Sequence, residues 1–364
     1  MKIRIVHITQ ALGGVKTYFA QILTHIDLSR FEIILIAPSD NELKELCSAN
    51  HITYYQLNIK RQIHLFYDPY CFVQILSFIR KIQPNIIHAH SAKGGMLGKL
   101  SAYFHRIPVV FTPNAFSYLS FIGFKRTLFY SLEFFSRKKV NKLLAVSYSE
   151  SDRAVHELNY KAEQVSVVLN FIKIDTAAVN RNFDQCKQIG MIGRLTHQKN
   201  PLFFLEIAKR IQGIFPEIKF ILLGAGYHDH LKKDALEFIR NHQLNNVQIV
   251  SWGEYQLEKF YEELDIFLLT SSFEGLPFSL LEAMSYKLPC IATNVDGSKD
   301  VVKHNDNGFL VNSAEETVSK IVLLIQSKAL RERLGSSAYE YVKEFHNAQI
   351  NVKKIELLYE NLLD

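Results

Sequence analysis

Short apolar runs alternate with longer amphipathic stretches along the whole chain. The runs lie at Ile33–Ala37, Ile86–His88, Val109–Thr112 and Leu143–Val146 in the first half, and at Gln188–Ile192, Lys219–Leu223, Gln248–Ser251, Ile266–Leu269 and Cys290–Thr293 in the second. Continuously apolar runs are typical of strands buried on both faces, and the stretches between them have helical spacing. The pattern therefore predicts α/β architecture with two doubly wound parallel sheets.

A polar segment interrupts this rhythm near the middle of the chain. It lacks clean periodicity, as is typical of a linker between domains, and it contains Asn170, Asp175, Asn180, Arg181, Asn182 and Asp184. We predict a Rossmann-like domain over residues 1–170, a linker over 171–187, a second Rossmann-like domain over 188–340 and a closing helix over 341–364. The length of 364 residues agrees with this division, because a single core rarely grows beyond about 250–300 residues.

Composition narrows the class of protein. The chain is 48% hydrophobic, which supplies two cores and excludes a disordered protein. Its four cysteines lack the paired spacing of zinc sites or disulfide frameworks, and this fits a reducing cytosol. No window reaches the roughly 18 uninterrupted apolar residues of a membrane-spanning helix, and no cleavable signal sequence follows Met1. We expect a cytoplasmic protein, either soluble or peripheral at the inner face of the cell membrane.

The charge is uneven along the chain. Residues 1–180 hold 21 Lys and Arg against 12 Asp and Glu, whereas residues 181–364 hold 21 against 24, so the halves carry +9 and −3. Residues 116–142 mix aromatic side chains with cations such as Lys125 and Arg126. That mixture suits an inner-leaflet membrane surface, and an ordinary helix with solvated cations is the alternative. No nucleic-acid-binding signature accompanies the cations, so we expect no nucleic-acid partner.

The first candidate motif is Gly13-Gly14-Val15-Lys16-Thr17, between the opening strand and the helical pattern Tyr18–Ile26. Glycines at a strand-to-helix turn let backbone N–H groups approach a phosphate, and the helix N-terminus favours negative charge. A plain tight turn also explains the same glycines. The motif becomes informative only beside other phosphate-binding residues.

The second motif follows the first strand of the second half and reads Gly193-Arg194-Leu195-Thr196-His197-Gln198-Lys199-Asn200-Pro201. It precedes a helix predicted over Leu202–Gln212. Ligands bind at the carboxyl ends of strands in open α/β sheets. The planar guanidinium of an arginine and the ammonium group of a lysine together suit a diphosphate. As a solvated charge pair, the two cations would be unremarkable.

The third motif, after the strand Ile266–Leu269, places two carboxylates eight residues apart at Glu274 and Glu282. We expect a helix to begin near Pro277, which puts Glu282 on the helix and Glu274 ahead of its N-terminus. A carboxylate suits a ribose diol, and the first N–H groups of a helix suit phosphate oxygens. Without the other motifs, both glutamates could be ordinary helix charges.

These motifs together resemble those of glycosyltransferase family 4. The resemblance rests on the Gly-Gly turn, on His88-Ala89-His90-Ser91-Ala92-Lys93-Gly94-Gly95, on Gly193-Arg194-Leu195 with Lys199, and on the spacing from Glu274 to Glu282. It covers nearly the whole chain and implies GT-B architecture, in which two Rossmann-like domains face a cleft. It also implies a nucleotide-sugar donor in the second domain and a glycan or lipid-linked glycan acceptor in the first. Relatives of this kind build bacterial surface polysaccharides such as lipopolysaccharide or capsule.

The resemblance assigns a role to each motif residue. Glu274 is expected to contact the transferred sugar and Glu282 the ribose, while Arg194 and Lys199 bind the diphosphate and the Gly13-Gly14 turn closes on it from the other domain. The remaining donor-binding residues are Gly275, Leu276, Pro277, Phe278 and Ser279. Transfer is expected to retain the anomeric configuration without a metal or a cofactor, with a UDP- or GDP-linked sugar as substrate. Cations that meet the charge growing on the leaving diphosphate agree with this chemistry.

Weaker assignments follow from other strand ends. Gly224 resembles the family's donor-side turn, and Trp252 falls where relatives place the nucleobase, although core packing explains a lone tryptophan equally well. On the acceptor side, His90 ends the strand that begins at Ile86, and the loop after it supplies Ser91, Lys93 and Gly94.

One position departs from the family pattern. Asn114 stands after Val109–Thr112, where many relatives have a histidine. An asparagine cannot act as a general base at neutral pH, but it can hydrogen-bond a sugar hydroxyl, so we keep Asn114 among the catalytic-side residues. His90 is a candidate substitute for the missing histidine, and a buried strand-end histidine is the alternative.

Two other functions fit the same sequence features. A sugar-nucleotide epimerase of GT-B architecture would convert the donor sugar without an acceptor. A non-catalytic subunit that binds sugar nucleotides would explain Asn114. The sequence argues against a nicotinamide oxidoreductase, because the first turn lacks the dinucleotide fingerprint and no ribose-binding acid stands at the usual position.

Overall fold

The computed structural model describes residues 2–10, 13–60, 64–174, 181–226 and 229–364, which form two compact units. The first unit comprises Met1–Lys173 and Ala348–Asp364, and the second comprises Ile174–Asn347. Of the predicted linker, residues 175–180 lie outside the described ranges.

The first unit is built on a seven-stranded parallel sheet with the order β3-β2-β1-β4-β5-β6-β7. Its strands are β1 (Ile3–Ile8), β2 (Phe31–Ala37), β3 (Thr53–Gln56), β4 (Ile86–His90), β5 (Val109–Thr112), β6 (Lys142–Ala145) and β7 (Val165–Val167). The crossover helices are α1 (Gly14–His25), α2 (Asn41–Ala49), α3 (Tyr67–Ile82), α4 (Ala92–His105), α5 (Gly123–Ser136) and α6 (Tyr148–His156).

The second unit repeats the plan with a six-stranded parallel sheet of order β10-β9-β8-β11-β12-β13. Its strands are β8 (Gln188–Ile192), β9 (Lys219–Ala225), β10 (Val247–Ser251), β11 (Ile266–Leu269), β12 (Cys290–Thr293) and β13 (Phe309–Val311). Its helices are α7 (Pro201–Gln212), α8 (Lys232–Asn241), α9 (Leu257–Glu263), α10 (Phe278–Ser285), α11 (Ser298–Val301), α12 (Ala314–Gln326) and α13 (Lys328–Phe345).

The predicted fold class is confirmed: both sheets are wholly parallel and have helices as crossovers. The strands at Val109–Thr112, Gln188–Ile192, Ile266–Leu269 and Cys290–Thr293 have the bounds that the apolar runs predict. All of β4 and β11 is buried, because a crossover helix on each face leaves central strands no contact with water.

The chain returns to the first unit through its last helix, α14 (Ala348–Asn361). This helix packs against α1, and Glu356 Oε1 accepts a hydrogen bond of 2.7 Å from Asp27 N. The boundary predicted at residue 341 falls inside α13, which is one continuous helix and packs on α10. The unit boundary therefore lies between Asn347 and Ala348. Among the described residues, no helix has the length and apolar character needed to cross a bilayer.

Candidate functional site

Each sheet has one point where the strand order reverses. In the second unit, β8 and β11 are neighbours in the sheet although two strands separate them in sequence, and in the first unit β1 and β4 have the same relation. Successive crossovers run in opposite directions from such a point, which opens a crevice at the carboxyl ends of the two strands. The motifs with Arg194 and Glu274 follow β8 and β11, so both lie at the reversal in the second unit.

The turn after β8 is fitted closely against the end of β9. Gly193 N donates to Leu223 O over 2.9 Å. Gly224 has a φ of 131°, and a Cβ at this position would lie 2.7 Å from Gly193 O. The main role of Gly224 is therefore to let the turn with Arg194 approach the end of β9. Any side chain at position 224 would displace that turn.

Asp229, which belongs to none of the sequence motifs, holds the turn after β8 in place. Its Oδ1 accepts a hydrogen bond of 3.1 Å from Leu195 N, and its Oδ2 accepts one from Gly226 N. One carboxylate thus joins the loops that follow β8 and β9. Its position between Gly226 and α8 gives no local signal of this role, since both bonds depend on tertiary structure.

Glu274 is buried, with 6% of its surface exposed, and its carboxylate has three donors. Lys199 Nζ lies 2.6 Å from Oε1, Ser271 Oγ donates to the same oxygen over 2.6 Å, and Gln198 Nε2 lies 3.4 Å from Oε2. A buried carboxylate is stable only when it is paired and hydrogen-bonded, and this one has both kinds of partner. The structure thus brings Lys199 and Glu274 together and adds Ser271 and Gln198, which the sequence motifs did not single out.

The loop that carries Glu274 rests on the end of β12. Gly297 has a φ of 77°, and a Cβ there would lie 2.6 Å from Gly275 O. Thr293 Oγ1 donates to Ser271 O over 2.5 Å. Glycine at position 297 is therefore required by the close approach of two loops, and only the folded structure brings those loops together.

Helix α10 begins at Phe278, in agreement with the predicted start near Pro277. Pro277 is extended, with φ −76° and ψ 120°, and it precedes the helix instead of forming its first residue. Phe278 and Ser279 are the first two helical residues, so their N–H groups lie in the turn that lacks intrahelical partners. The buried Ser279 Oγ also has no hydrogen-bond partner among the described residues. Glu274 precedes this helix N-terminus and Glu282 lies on the helix, as predicted.

Glu282 is half-buried and contacts a residue of α9. Tyr261 OH donates to Glu282 Oε2 over 2.7 Å. Burial raises the pKa of the Glu282 carboxyl, and the hydrogen bond from Tyr261 acts in the opposite direction. No sequence motif includes Tyr261, which lies 21 residues before its partner.

Two further donor-side residues lie at strand ends of the second unit. Trp252 follows β10 and is 57% exposed, and its backbone N–H donates to Ala225 O over 2.7 Å. Core packing is therefore excluded as the reason for this tryptophan. Arg194 is half-buried in the turn after β8.

In the first unit, the Gly-Gly turn directly opens α1. Gly13 is the N-cap, with φ 79° and ψ −128°, a conformation that favours glycine, and Gly14 is the first helical residue. The helix thus begins four residues before the predicted Tyr18. Lys16 is paired with Asp40 and Glu42 at 3.3 and 2.5 Å.

The residues assigned to the acceptor side are engaged within the first unit. His90 is fully buried, and Lys93 Nζ lies 2.8 Å from Asp68 Oδ1. A Cβ on Gly94 would lie 2.8 Å from the Cα of Thr9, so this glycine lets α4 pack on the end of β1. Ser91 has a φ of 59° and precedes α4. His90 is thus a buried histidine at the end of β4.

His90 belongs to a buried cluster with His7 and His88, in which one ring nitrogen of each residue lies within 4.8 Å of those of the other two. Within the described ranges this is the one group whose spacing suits a metal ion. Both nitrogens of His88 are already engaged, with Tyr359 OH at 2.6 Å and Thr112 Oγ1 at 2.8 Å, and His7 Nδ1 lies 3.0 Å from His90 Nε2. Burial lowers the pKa of His7 to about 3. The cluster is thus a neutral hydrogen-bonded network that ties α14 to β4.

Asn114 lies in the loop after β5 with a φ of 54°, and its buried Nδ2 has no hydrogen-bond partner among the described residues. Glu150 fixes this loop, because its carboxylate accepts from Ala115 N and Val146 N, both over 2.8 Å. An unpaired buried donor is costly unless a ligand or water satisfies it. Asn114 therefore has the chemistry of a ligand contact.

The chain is similar to known glycosyltransferases over nearly its whole length. The family model for glycosyl transferases group 1 matches residues 173–341, and the model for Glycosyltransferase Family 4 matches residues 12–176. The UDP-Gal:alpha-D-GlcNAc-diphosphoundecaprenol alpha-1,3-galactosyltransferase of Escherichia coli is 28% identical over 98% of this chain and 97% of its own. The capsular polysaccharide biosynthesis glycosyltransferase CapM of Staphylococcus aureus is 23% identical over 91% of this chain and 90% of its own.

Among solved structures, Anabaena HepE in complex with UDP and glucose superposes with a TM-score of 0.83 at 17% identity, covering 99% of this chain and 100% of HepE. Likeness at this identity establishes the fold, which is GT-B. The two family models together extend from residue 12 to residue 341, over both units. The chain therefore belongs to glycosyltransferase family 4, as its motifs predict, and it is a glycosyltransferase.

Proposed function

We propose that this enzyme transfers a hexose from a UDP- or GDP-linked donor to a lipid-linked glycan during synthesis of a bacterial surface polysaccharide. The observation that carries the proposal is the contact of Lys199 and Ser271 with the buried carboxylate of Glu274 at the β8–β11 reversal, just ahead of the N-terminus of α10. The galactosyltransferase of Escherichia coli, whose name gives a diphosphoundecaprenol-linked acceptor, supports the acceptor class.

The donor roles follow from the chemistry of each residue. Glu274, held rigidly by its donors, hydrogen-bonds hydroxyls of the transferred sugar, and Glu282 accepts from the ribose diol. Arg194 and Lys199 meet the negative charge that grows on the diphosphate as the glycosidic bond breaks. The N–H groups at the start of α10 contribute to the same phosphate oxygens. Trp252 offers an exposed ring to the nucleobase.

Transfer proceeds with retention and without a metal or a cofactor. The leaving diphosphate, stabilised by the two cations, departs from the face that the acceptor enters and helps to deprotonate the acceptor hydroxyl. The first unit supplies the acceptor side, where the unpaired Nδ2 of Asn114 hydrogen-bonds a sugar hydroxyl. Asn114 orients the acceptor and takes no proton.

Separate substitutions of the two carboxylates test the donor assignment. We expect Glu282→Gln to weaken UDP or GDP binding about tenfold, because a hydrogen bond to a charged group is worth about 1.5–3 kcal/mol. Glu274→Gln should leave nucleotide binding almost intact and lower kcat on the order of 100-fold. Glu217→Gln, at an exposed glutamate of the same unit, is the control. Equal, small effects of both site variants would overturn the assignment.

The reaction itself is tested with a panel of UDP- and GDP-sugars and a short-chain diphosphopolyprenyl-linked sugar as acceptor. Formation of an α-linked product from an α-linked donor, unchanged by chelator and followed by NMR, is the expected result. Sugar conversion without acceptor would instead identify an epimerase. Nucleotide binding with no conversion over the whole panel would identify a non-catalytic subunit.

We also propose that α5 lies on the membrane that holds the acceptor. Its exposed face carries Phe124, Leu128, Leu132 and Phe135, with exposures of 81, 43, 38 and 70%. The opposite face is anchored to α4, because the buried Lys99 Nζ lies 3.2 Å from Glu133 Oε2. Cations at both ends of the helix suit anionic headgroups around an inserted apolar stripe.

A further inference from the structure

Glu282 is held by a residue on a different helix. Tyr261 on α9 is 1% exposed, and its hydroxyl lies 2.7 Å from Glu282 Oε2. The carbonyl oxygen of Ser279 lies 3.3 Å from the same hydroxyl, so the carboxylate is the nearer acceptor. A short hydrogen bond to an ionised group is strong and directional, and it restricts the torsion angles of the glutamate.

Tyr261 is itself fixed on two sides. Its ring stacks on Tyr286 with a centroid distance of 5.2 Å and an interplanar angle of 23°. Arg181 donates to the carbonyl oxygens of Tyr261 and Tyr286 over 2.5 and 2.7 Å. A tyrosine with so little freedom can define the position of the group to which it donates, because its own position does not adapt.

The Glu282 carboxylate keeps capacity for a ligand. A carboxylate has about four lone-pair sites, and Tyr261 takes one of them on Oε2. The two hydroxyls of a ribose diol require two further sites in a fixed orientation. Rotation of the carboxylate would break one of those two bonds, so a donor that prevents rotation strengthens binding of the diol.

We propose that Tyr261 is a positioning residue that orients Glu282 toward the ribose diol and thereby makes the donor site selective for ribonucleotides. This inference rests on the proposed function, because it takes Glu282 as the ribose-binding carboxylate. Tyr261 acts through Glu282 and does not itself touch the donor.

The test compares ribonucleotides with their deoxy analogues by isothermal titration calorimetry. We expect wild-type protein to bind UDP or GDP about tenfold more tightly than the 2′-deoxy or 3′-deoxy nucleotide. In Tyr261→Phe this preference should fall below about threefold, because the ribose hydroxyls gain less from a mobile carboxylate. Tyr255→Phe is the matched control: Tyr255 OH donates to Glu263, a carboxylate outside the motif, so the preference should persist.

The outcomes separate the inference from the function on which it rests. A purely structural tyrosine would weaken binding of ribonucleotides and deoxynucleotides equally, and that result overturns the inference. If Glu282→Gln abolishes the preference while Tyr261→Phe keeps it, the positioning role fails and the proposed function stands. If wild-type protein shows no preference for the ribonucleotide, Glu282 is not the ribose ligand and both fail.

The pH dependence of nucleotide binding gives a second readout. Burial raises the pKa of Glu282, while Tyr261 on α9 and Lys199 lower it and Glu258 on α9 raises it. Binding should weaken as the pH falls and Glu282 becomes protonated. Loss of the Tyr261 hydroxyl raises the Glu282 pKa further, so Tyr261→Phe should lose affinity at a higher pH than wild type. Identical pH midpoints for the two proteins would contradict the positioning role.

Discussion

Gly224 and Gly253 allow the conformational role of a glycine to be separated from its packing role. Both have positive φ, at 131° and 89°, but a Cβ on Gly224 would meet Gly193 O at 2.7 Å, whereas a Cβ on Gly253 would meet nothing within 4 Å. A sparsely populated positive φ costs an alanine about 1–3 kcal/mol at either position.

We therefore expect Gly253→Ala to lower the melting temperature modestly and to leave nucleotide affinity unchanged. Gly224→Ala should also displace the turn that carries Arg194 and weaken UDP or GDP binding about tenfold or more. Differential scanning fluorimetry and calorimetric titration measure the two effects. Equal nucleotide affinity in both variants would contradict the packing role of Gly224.

Two adjacent serines give a second prediction. Ser271 Oγ donates to Glu274 Oε1 over 2.6 Å, while Ser272 Oγ donates to His197 O over 3.1 Å at an exposed position. Ser271→Ala removes one hydrogen-bond donor from the buried Glu274 carboxylate, while the volume of the side chain at position 271 hardly changes. We therefore expect kcat to fall about tenfold. Ser272→Ala should retain wild-type kcat. Steady-state kinetics with the donor at saturation decides, and equal rates in both variants would show that Ser271 does not position Glu274.

At this scale, the sequence predicts residues whose chemistry is local. The sequence predicts Glu274 and Glu282 because both lie within one loop and the start of one helix. Tyr261 and Gly297 were not found, because they meet the site only through packing of α9 on α10 and of one strand-end loop on another. The positions of such supporting residues depend on tertiary contacts that no short motif encodes.

Helix α5 shows what can be predicted at the scale of an element. Its aromatic residues and cations indicated a surface role, but apolar residues occur on both of its faces, so the pattern alone did not say which face is exposed. The structure packs Phe129, Tyr130 and Phe134 on the core of the first unit and leaves Phe124 and Phe135 outside.

We expect the double substitution Phe124→Ser and Phe135→Ser to abolish sedimentation with phosphatidylglycerol vesicles at physiological salt. Each buried aromatic side chain contributes about 1.5–3 kcal/mol of apolar burial, whereas the cations add a salt-dependent part. The matched control is the double variant Lys125→Gln and Arg126→Gln, which lacks two of the cations. Lowering the salt concentration should restore its vesicle binding only in part. The double Phe129→Ser and Phe134→Ser variant, on the inner face, should unfold the unit instead. Vesicle binding retained by the first double variant would exclude the stripe as a membrane contact.

The sequence predicts the strand positions well, because a continuous apolar run is typical of a parallel strand that is buried on both faces. Helix ends are predicted less well: α1 begins at Gly14, and α13 continues through the boundary predicted at residue 341. The extent of α13 is supported by tertiary contacts with α10, which its own sequence does not record. The order of the strands comes from pairing between distant segments, which periodicity does not record.

For the whole molecule, the cluster of His7, His88 and His90 sets a lower limit to the pH at which the first unit is stable. All three rings are fully buried, and burial lowers each pKa, to about 3 for His7 from an ordinary value of 6.5. Below pH 6.5 the unfolded chain binds protons that the folded chain cannot. Each histidine then reduces the free energy of unfolding by up to about 1.4 kcal/mol per pH unit, until the pH reaches the folded pKa.

We expect urea unfolding, followed by circular dichroism from pH 7.5 to pH 4.5, to show a steep loss of stability below pH 6.5. His7→Leu should show a shallower dependence on pH, because one buried imidazole no longer titrates, even if its stability at pH 7.5 is lower. His156→Gln, at an exposed position, should follow wild type. Since His88 bonds Tyr359 on α14, protonation should also release the C-terminal helix first, as faster amide exchange within Ala348–Asn361. Equal pH slopes for His7→Leu and wild type would show that the acid sensitivity arises from carboxylates instead of this cluster.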